Sequence, residues 1–310
     1  MILNLKPIKT GANCFANNWV VQTCSFLGIS YLPFFLRYFN DYLKIDNYSI
    51  PTLDVDPCNT MGNKYPINLL IGLKFERIDV QGDCWNYIVN EINGKIPVAI
   101  SINSSELPWW EYGTQVERLM LIIGFEEDKR NFFLADGYTT TEVQKIEESN
   151  FVDQLSLYKI VINNQFVLSK HNAIKAIMHG CSQEDILKKH ADMENYNNYI
   201  LNNFLSMTEG ESYKDLMRKP FVYALSHFVF NRKYFSKSIE FISERFSVDI
   251  FKSVSPLIQE LCRGWYVYKN YLIKAALTRN IKDINTACEY FDDIKNKELV
   301  VDDRLMNSIK

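Results

Sequence analysis

A cysteine at the first position of a helix is a candidate nucleophile, and this chain offers one at Cys14. Residues 13–22 read Asn-Cys-Phe-Ala-Asn-Asn-Trp-Val-Val-Gln and continue through Cys24 to Gly28. Phe15, Trp19 and Val20 fall at helical spacing, Asn13 is a good N-cap and Gly28 stands where a C-terminal stop is expected, so the stretch predicts a helix that opens on Cys14. A thiol there meets unpaired backbone N–H groups and the positive end of the helix dipole, both of which favour thiolate. The competing reading is a small buried cysteine without chemistry, the usual fate of an isolated one.

The elements that must position such a residue follow in order. Residues 31–43 are dense in aromatics and predict a second helix, with Pro33 in its first turn. Residues 49–66 carry Pro51, Pro57, Gly62 and Pro66 and read as a long irregular connection. A short amphipathic helix is expected over 83–93, with Trp85, Ile88, Val89 and Ile92 on one face and a stop at Gly94. The period then changes: 96–102, 119–125 and 131–136 are short apolar runs of strand type, the last two joined by a charged turn of hairpin length at 126–130. Continuous apolar runs imply burial on both faces, and 158–162 adds a further strand. Beyond Ser169 the strand signals stop, and 184–204, 212–230, 234–246, 250–278 and 281–296 carry helical periodicity, with Pro220 and Pro256 expected to start or kink helices. The fold class expected is α+β, an N-terminal helix with an antiparallel sheet over residues 1–165, followed by an all-helical domain over 166–310. The aromatics of the helical half read as core.

Composition narrows the partners. The 310 residues are 47% hydrophobic and 23% charged, with a formal net charge of -3 and a pI near 5.9, which leaves no electrostatic footprint for nucleic acid and no polybasic membrane anchor. The N-terminus lacks a signal-peptide core and no apolar run reaches spanning length, so a cytoplasmic protein without membrane contact is expected. Seven dispersed cysteines without a C-x-x-C pair argue against a disulfide framework or a zinc knuckle, and no metal or cofactor is expected.

Four stretches in this order, NCFANNWVVQTCSFLG, GKIPVAISINSSELPWW, LMLIIGFEED and NFFLADGY, resemble the papain-like, peptidase C39-like domain named after butirosin biosynthesis protein H. The resemblance covers about the first half of the chain. It implies a thiol acyltransferase of natural-product biosynthesis, which moves an acyl group from an acyl carrier or peptidyl carrier protein to a small-molecule amine. It also assigns roles: Cys14 matches the nucleophile and Asp136 the carboxylate that orients a catalytic histidine. Counting back from Gly124 to the start of its strand, the position of that histidine holds Arg118. His171, His179, His190 and His227 all lie in the helical half or at its entrance, and residues 6–12 contain no oxyanion-hole glutamine.

Arg118 cannot act as a base at neutral pH, but beside Cys14 it would lower the thiol pKa, and beside Asp136 it would form a bidentate salt bridge. Two functions of different class follow. In one, Cys14 accepts an acyl group from a thioester and an amine intercepts it. In the other, the papain-like fold is a catalytically degenerate binding or scaffold module for a carrier protein, peptide or partner enzyme. Peptidase activity ranks below both, because amide hydrolysis must deliver a proton to the leaving nitrogen.

Overall fold

The computed structural model describes residues 1–10, 15–38, 65–79, 83–109, 117–137, 139–150, 155–179, 182–218 and 220–307. Cys14, its expected cap Asn13, the end of the 31–43 segment and nearly all of the 49–66 connection lie outside the described residues. The chain groups into two compact units. Met1–Tyr31 and Pro66–Leu168 belong to the first, and Leu32–Tyr38, Tyr65 and Ser169–Lys310 to the second.

In the first unit, Phe15–Val21 is a π-helix that passes into α1 (Gln22–Leu27), and Gly28 ends it in the left-handed conformation at φ 69°. The spacing predicts an ordinary α-helix. The wider i→i+5 turn is found instead, in a segment whose seven residues, Asn17 and Asn18 included, are all buried. After α2 (Asn68–Ile71) come β1 (Leu73–Ile78), α3 (Cys84–Asn93), β2 (Val98–Asn103), β3 (Glu117–Glu126), β4 (Asn131–Ala135), β5 (Val143–Glu147) and β6 (Ser156–Ile162). The strands pair antiparallel in the order β1-β6-β2-β3-β4-β5. This is the expected α+β class, with more strands than the apolar runs reveal.

β1 and β5 are the two edges, and both escape a search for apolar runs because edge strands alternate with charge. In β1 only Leu73 and Phe75 are buried, with Lys74 and Glu76 paired to each other on the outside. In β5 only Ile146 is buried. β2 and β3, which the sequence does reveal, lie inside the sheet and are buried on both faces.

Two tryptophans seat the helices on the sheet. Trp19 packs on Phe75 (5.1 Å) and Tyr158 (4.6 Å), and its indole N–H donates to the carbonyls of Ile100 and Met120, which are cross-strand partners. Trp85, from α3, packs on Phe132 (4.6 Å) and Phe125 (6.1 Å). The register puts these rings on opposite faces: Tyr158 pairs with Ala99, Ala99 with Leu121 and Leu121 with Ala135, while Phe132, three residues from Ala135, points the other way. Asp83 caps α3 by accepting from the Trp85 N–H (2.9 Å), and Gly94 ends it. Past Val98 the edge of β3 is taken over by the N-terminal residues, through Leu3 N to Ile123 O (2.7 Å) and Phe125 N to Met1 O (2.8 Å). Gly124 permits this approach, since a Cβ there would lie 2.6 Å from the Met1 carbonyl oxygen.

In the second unit, Leu32–Tyr38 is a 3-10 helix rather than the expected α-helix, and Phe35 stacks on Tyr234 at 4.6 Å. Among the described residues every element beyond Ile162 is helical: α4 (Lys170–Met178), α5 (Gln183–Met207), α6 (Tyr213–Arg218), α7 (Pro220–Phe246), α8 (Asp249–Thr278) and α9 (Ile281–Asn307). None of them is long and apolar enough to cross a membrane. Pro220 opens α7, where proline is tolerated, and Pro256 lies inside α8. The sequence predicts separate segments at 212–230 and 234–246 and a last helix ending at 296. The structure instead runs α7 unbroken through Asn231 and Arg232 and extends α9 past Glu298 and Asp302.

Those polar residues lie outside the predicted segments, and in the structure they are buried. Glu298 accepts from Arg232 Nε (3.1 Å) and Trp265 Nε1 (3.2 Å) and faces Lys189 Nζ at 3.3 Å. Lys189 also reaches Asp302 Oδ1 (2.7 Å), and His190 Nε2 lies 3.0 Å from Asp302 Oδ2. Side chains from α5, α7, α8 and α9 thus meet on one carboxylate.

Burial alone would raise the Glu298 carboxyl, but the charges of Arg232 and Lys189, aided by hydrogen bonds from Arg232 and Trp265, outweigh it and bring the pKa down to about 2. A folded-state value below the ordinary 4.5 contributes stability that is complete above pH 4.5 and lost as the pH falls toward 2. Glu298→Gln should therefore destabilise the helical unit at neutral pH by about 3–5 kcal/mol, the usual cost of breaking a buried ion pair. Urea titrations from pH 7 down to pH 2 should show the gap between variant and parent closing below pH 4.5.

Candidate functional site

Asp136 follows β4 directly and is fully buried, and Arg118, the second residue of β3, is buried beside it. The guanidinium Nη2 donates to both carboxylate oxygens, at 2.9 Å to Oδ1 and 3.0 Å to Oδ2. One nitrogen spans the carboxylate, in place of the two-nitrogen fork that a bidentate pair would use. Three further donors share the same group: Asn18 Nδ2 to Oδ1 (2.8 Å), Trp109 Nε1 to Oδ2 (3.4 Å) and the Thr139 hydroxyl to Oδ2. The Asp136 carbonyl caps the turn that follows, accepting from the N–H groups of Thr139 (3.2 Å) and Thr140 (3.0 Å).

Burial pushes the Asp136 carboxyl upward, but the Arg118 charge, with hydrogen bonds from Thr139, Asn18 and Arg118, more than offsets this and holds it below the usual aspartate range. The group is an anion that only accepts.

The π-helix supplies the floor. Asn18 Nδ2 also donates to the Leu119 carbonyl (2.7 Å), and Asn18 Oδ1 accepts from Asn17 Nδ2 (3.0 Å). Asn17 Oδ1 accepts from the backbone N–H of Thr10 (2.7 Å) and from its hydroxyl. Gln22, further along, closes a two-way amide pair with the Ile8 backbone, 3.0 Å in one direction and 2.7 Å in the other. Gly137 allows this helix to come so close to the end of β4. A Cβ on it would collide with Gln22 Nε2 and the Ile8 carbonyl oxygen and lie 2.9 Å from Asn17 Nδ2.

Of the residues that sequence reasoning singled out, Arg118 and Asp136 are brought together and Cys14 lies outside the described residues, one position before the π-helix. The histidines belong to the helical unit, His171 in α4, His179 just after it, His190 in α5 and His227 in α7. Asn18, Thr139 and Trp109 were missed. The signal for Asn18 was present, an Asn-Asn pair inside an otherwise apolar helical stretch; nothing in the sequence marks Thr139. Among the described residues no group of three or more His, Cys, Asp or Glu is placed to hold a metal ion.

Comparison with known proteins agrees with this architecture. The model of the Peptidase_C39 like family matches residues 33–162, less than half of the chain. The match spans β1 to β6, with Arg118 and Asp136 inside it, and begins after Cys14 and the π-helix. No curated protein matches the chain.

Arg118→Ala would leave the Asp136 anion buried with hydrogen bonds but no counter-charge. The expected cost is about 3–5 kcal/mol of unfolding free energy at pH 7, measured by urea titration. Lys129→Ala, at a surface ion pair with Glu126, should leave the unfolding midpoint nearly unchanged in the same assay.

Proposed function

We propose that the C39-like unit is a catalytically degenerate binding domain, in which a fixed ion pair stands where papain-like enzymes keep their acid–base group. One observation carries the reading. Both oxygens of the Asp136 carboxylate are taken by Arg118, Asn18, Thr139 and Trp109, so the group that would orient a histidine holds a guanidinium instead. A guanidinium neither takes the proton of a thiol nor returns one to a leaving group. Residues 1–168 contain no histidine to serve in its place. Amide hydrolysis suffers most, because its leaving nitrogen must be protonated.

The resemblance to the butirosin biosynthesis protein H family supplies the class of partner. The unit would recognise the thioester-bearing arm of an acyl or peptidyl carrier protein, or the small-molecule amine that such thioesters acylate, without turning them over. A thiol acyltransferase is the competing reading. There Cys14 attacks the carrier thioester and expels the carrier thiol, and an amine then attacks the new thioester and releases Cys14. The thioester-to-thioester exchange is nearly isoenergetic and asks little of a base, whereas amide formation requires the amine to lose a proton, which the released Cys14 thiolate or solvent would have to take. A cation at the start of β3 favours thiolate. The charge of Arg118 is already spent on Asp136, which weighs against it.

The test uses an acyl N-acetylcysteamine thioester and a primary amine, with intact-mass and product analysis. The unaltered protein should form no amide above the uncatalysed rate. Arg118→His should gain turnover that depends on Cys14, because Asp136 is already held to orient an imidazole. Amide formation by the unaltered protein, abolished by Cys14→Ser, would overturn the binding-domain reading in favour of the acyltransferase.

A further inference from the structure

Asn17 and Asn18 lie fully buried in the π-helix, and their amides do more than satisfy each other. Read from the Thr10 end, the bonds among the described residues point one way: Thr10 donates to Asn17 Oδ1, Asn17 Nδ2 donates to Asn18 Oδ1, and Asn18 Nδ2 donates to Asp136 Oδ1. The second amide hydrogen of Asn18 goes to the Leu119 carbonyl, the residue after Arg118. Asn18 therefore grips both members of the ion pair at once, the carboxylate directly and the arginine through the strand that carries it.

We infer that Asn18 is a positioning residue, the end of a one-way hydrogen-bond relay from Thr10 that fixes how the Asp136 carboxylate faces residue 118. A chain of donors running in one sense polarises each link for the next, so the last N–H is a stronger donor than an isolated amide. It delivers that donation to one oxygen of a carboxylate, and so favours the ionised group. The relay brackets Cys14 in the chain, with Thr10 four residues before it and Asn17 three after. It couples the segment on either side of Cys14 to the ends of β3 and β4. The inference rests on the ion pair alone and stands whether or not the C39-like unit turns over a substrate.

The relay makes a prediction that separate packing contacts do not: a change at its head is felt at its far end. Thr10→Val removes the hydroxyl donor to Asn17 while the Thr10 backbone N–H still donates there, and it keeps the side-chain volume. Asn17→Leu cuts the chain outright, although Asn17 makes no hydrogen bond to Asp136 or Arg118. The readout is the nitrogen–proton NMR spectrum of the Asn18 amide and the Arg118 guanidinium at neutral pH, with thermal melting as the check on folding. Both sets of signals should move in Thr10→Val and move further in Asn17→Leu. They should stay in place in Lys129→Ala. Asn18 and Arg118 signals unchanged in a folded Thr10→Val protein, with only Asn17 shifted, would overturn the relay and leave Asn18 a local packing contact. Thr10→Val is mild enough that the outcome does not depend on Asn17→Leu remaining folded.

Discussion

A carboxylate with no exposed surface has to be neutralised where it lies, and at the end of β4 that requirement falls on Asp136. The ionised form costs several kcal/mol to bury unless a cation and enough donors replace the lost water. Arg118 supplies the cation, and Asn18, Thr139 and Trp109 supply donors. Much of the local backbone follows from satisfying that one group. The π-helix turns two asparagines inward, Gly137 gives up its side chain so that Asn17 and Gln22 can approach, and the turn after β4 folds back over the Asp136 carbonyl.

The helical unit meets the same constraint by the same means. Glu298 and Asp302 on α9 are answered by Arg232 on α7 and Lys189 on α5, with the Trp265 indole as a further donor. Around this polar centre the aromatic contacts are edge-on, Trp265 to Phe228 at 4.7 Å and to Tyr268 at 5.7 Å. Buried ion pairs contribute little net stability compared with apolar packing, but breaking one is expensive, so they penalise any arrangement of helices that parts the partners.

That physics also decides what could be read in the sequence. The apolar strands β2, β3 and β4 were legible because central strands keep both faces dry. The edges β1 and β5 were hidden by outward charges such as Lys74 and Glu76. In the helical half, Arg232 and Glu298 fell outside the periodic segments for one reason: a buried charge adds nothing to an apolar stripe, and its partner lies 66 residues away. At the candidate site Arg118 and Asp136 were singled out by the family resemblance, counted from Gly124 and the Ala135-Asp136 strand end, and the structure brings the two side chains together. Asn18 was not, because its importance depends on the widened turn, and periodicity cannot distinguish a π-helix from an α-helix over seven residues.

The central proposal is that no histidine-type base serves the first unit, and the pH dependence of thiol alkylation tests it most directly. Burial pushes up the described thiols: Cys24 and Cys84 lie above their ordinary value, Cys288 rises to about 11 and Cys262 to about 12. These four should therefore contribute little near neutrality. Iodoacetamide labelling of Cys14, followed residue by residue by mass spectrometry from pH 4 to pH 10, should rise through one thiol ionisation and show no second step near pH 6–7, where a histidine titrates. A profile with two steps, or a plateau of reactive thiolate persisting below pH 6 as in a thiolate–imidazolium pair, would contradict the account.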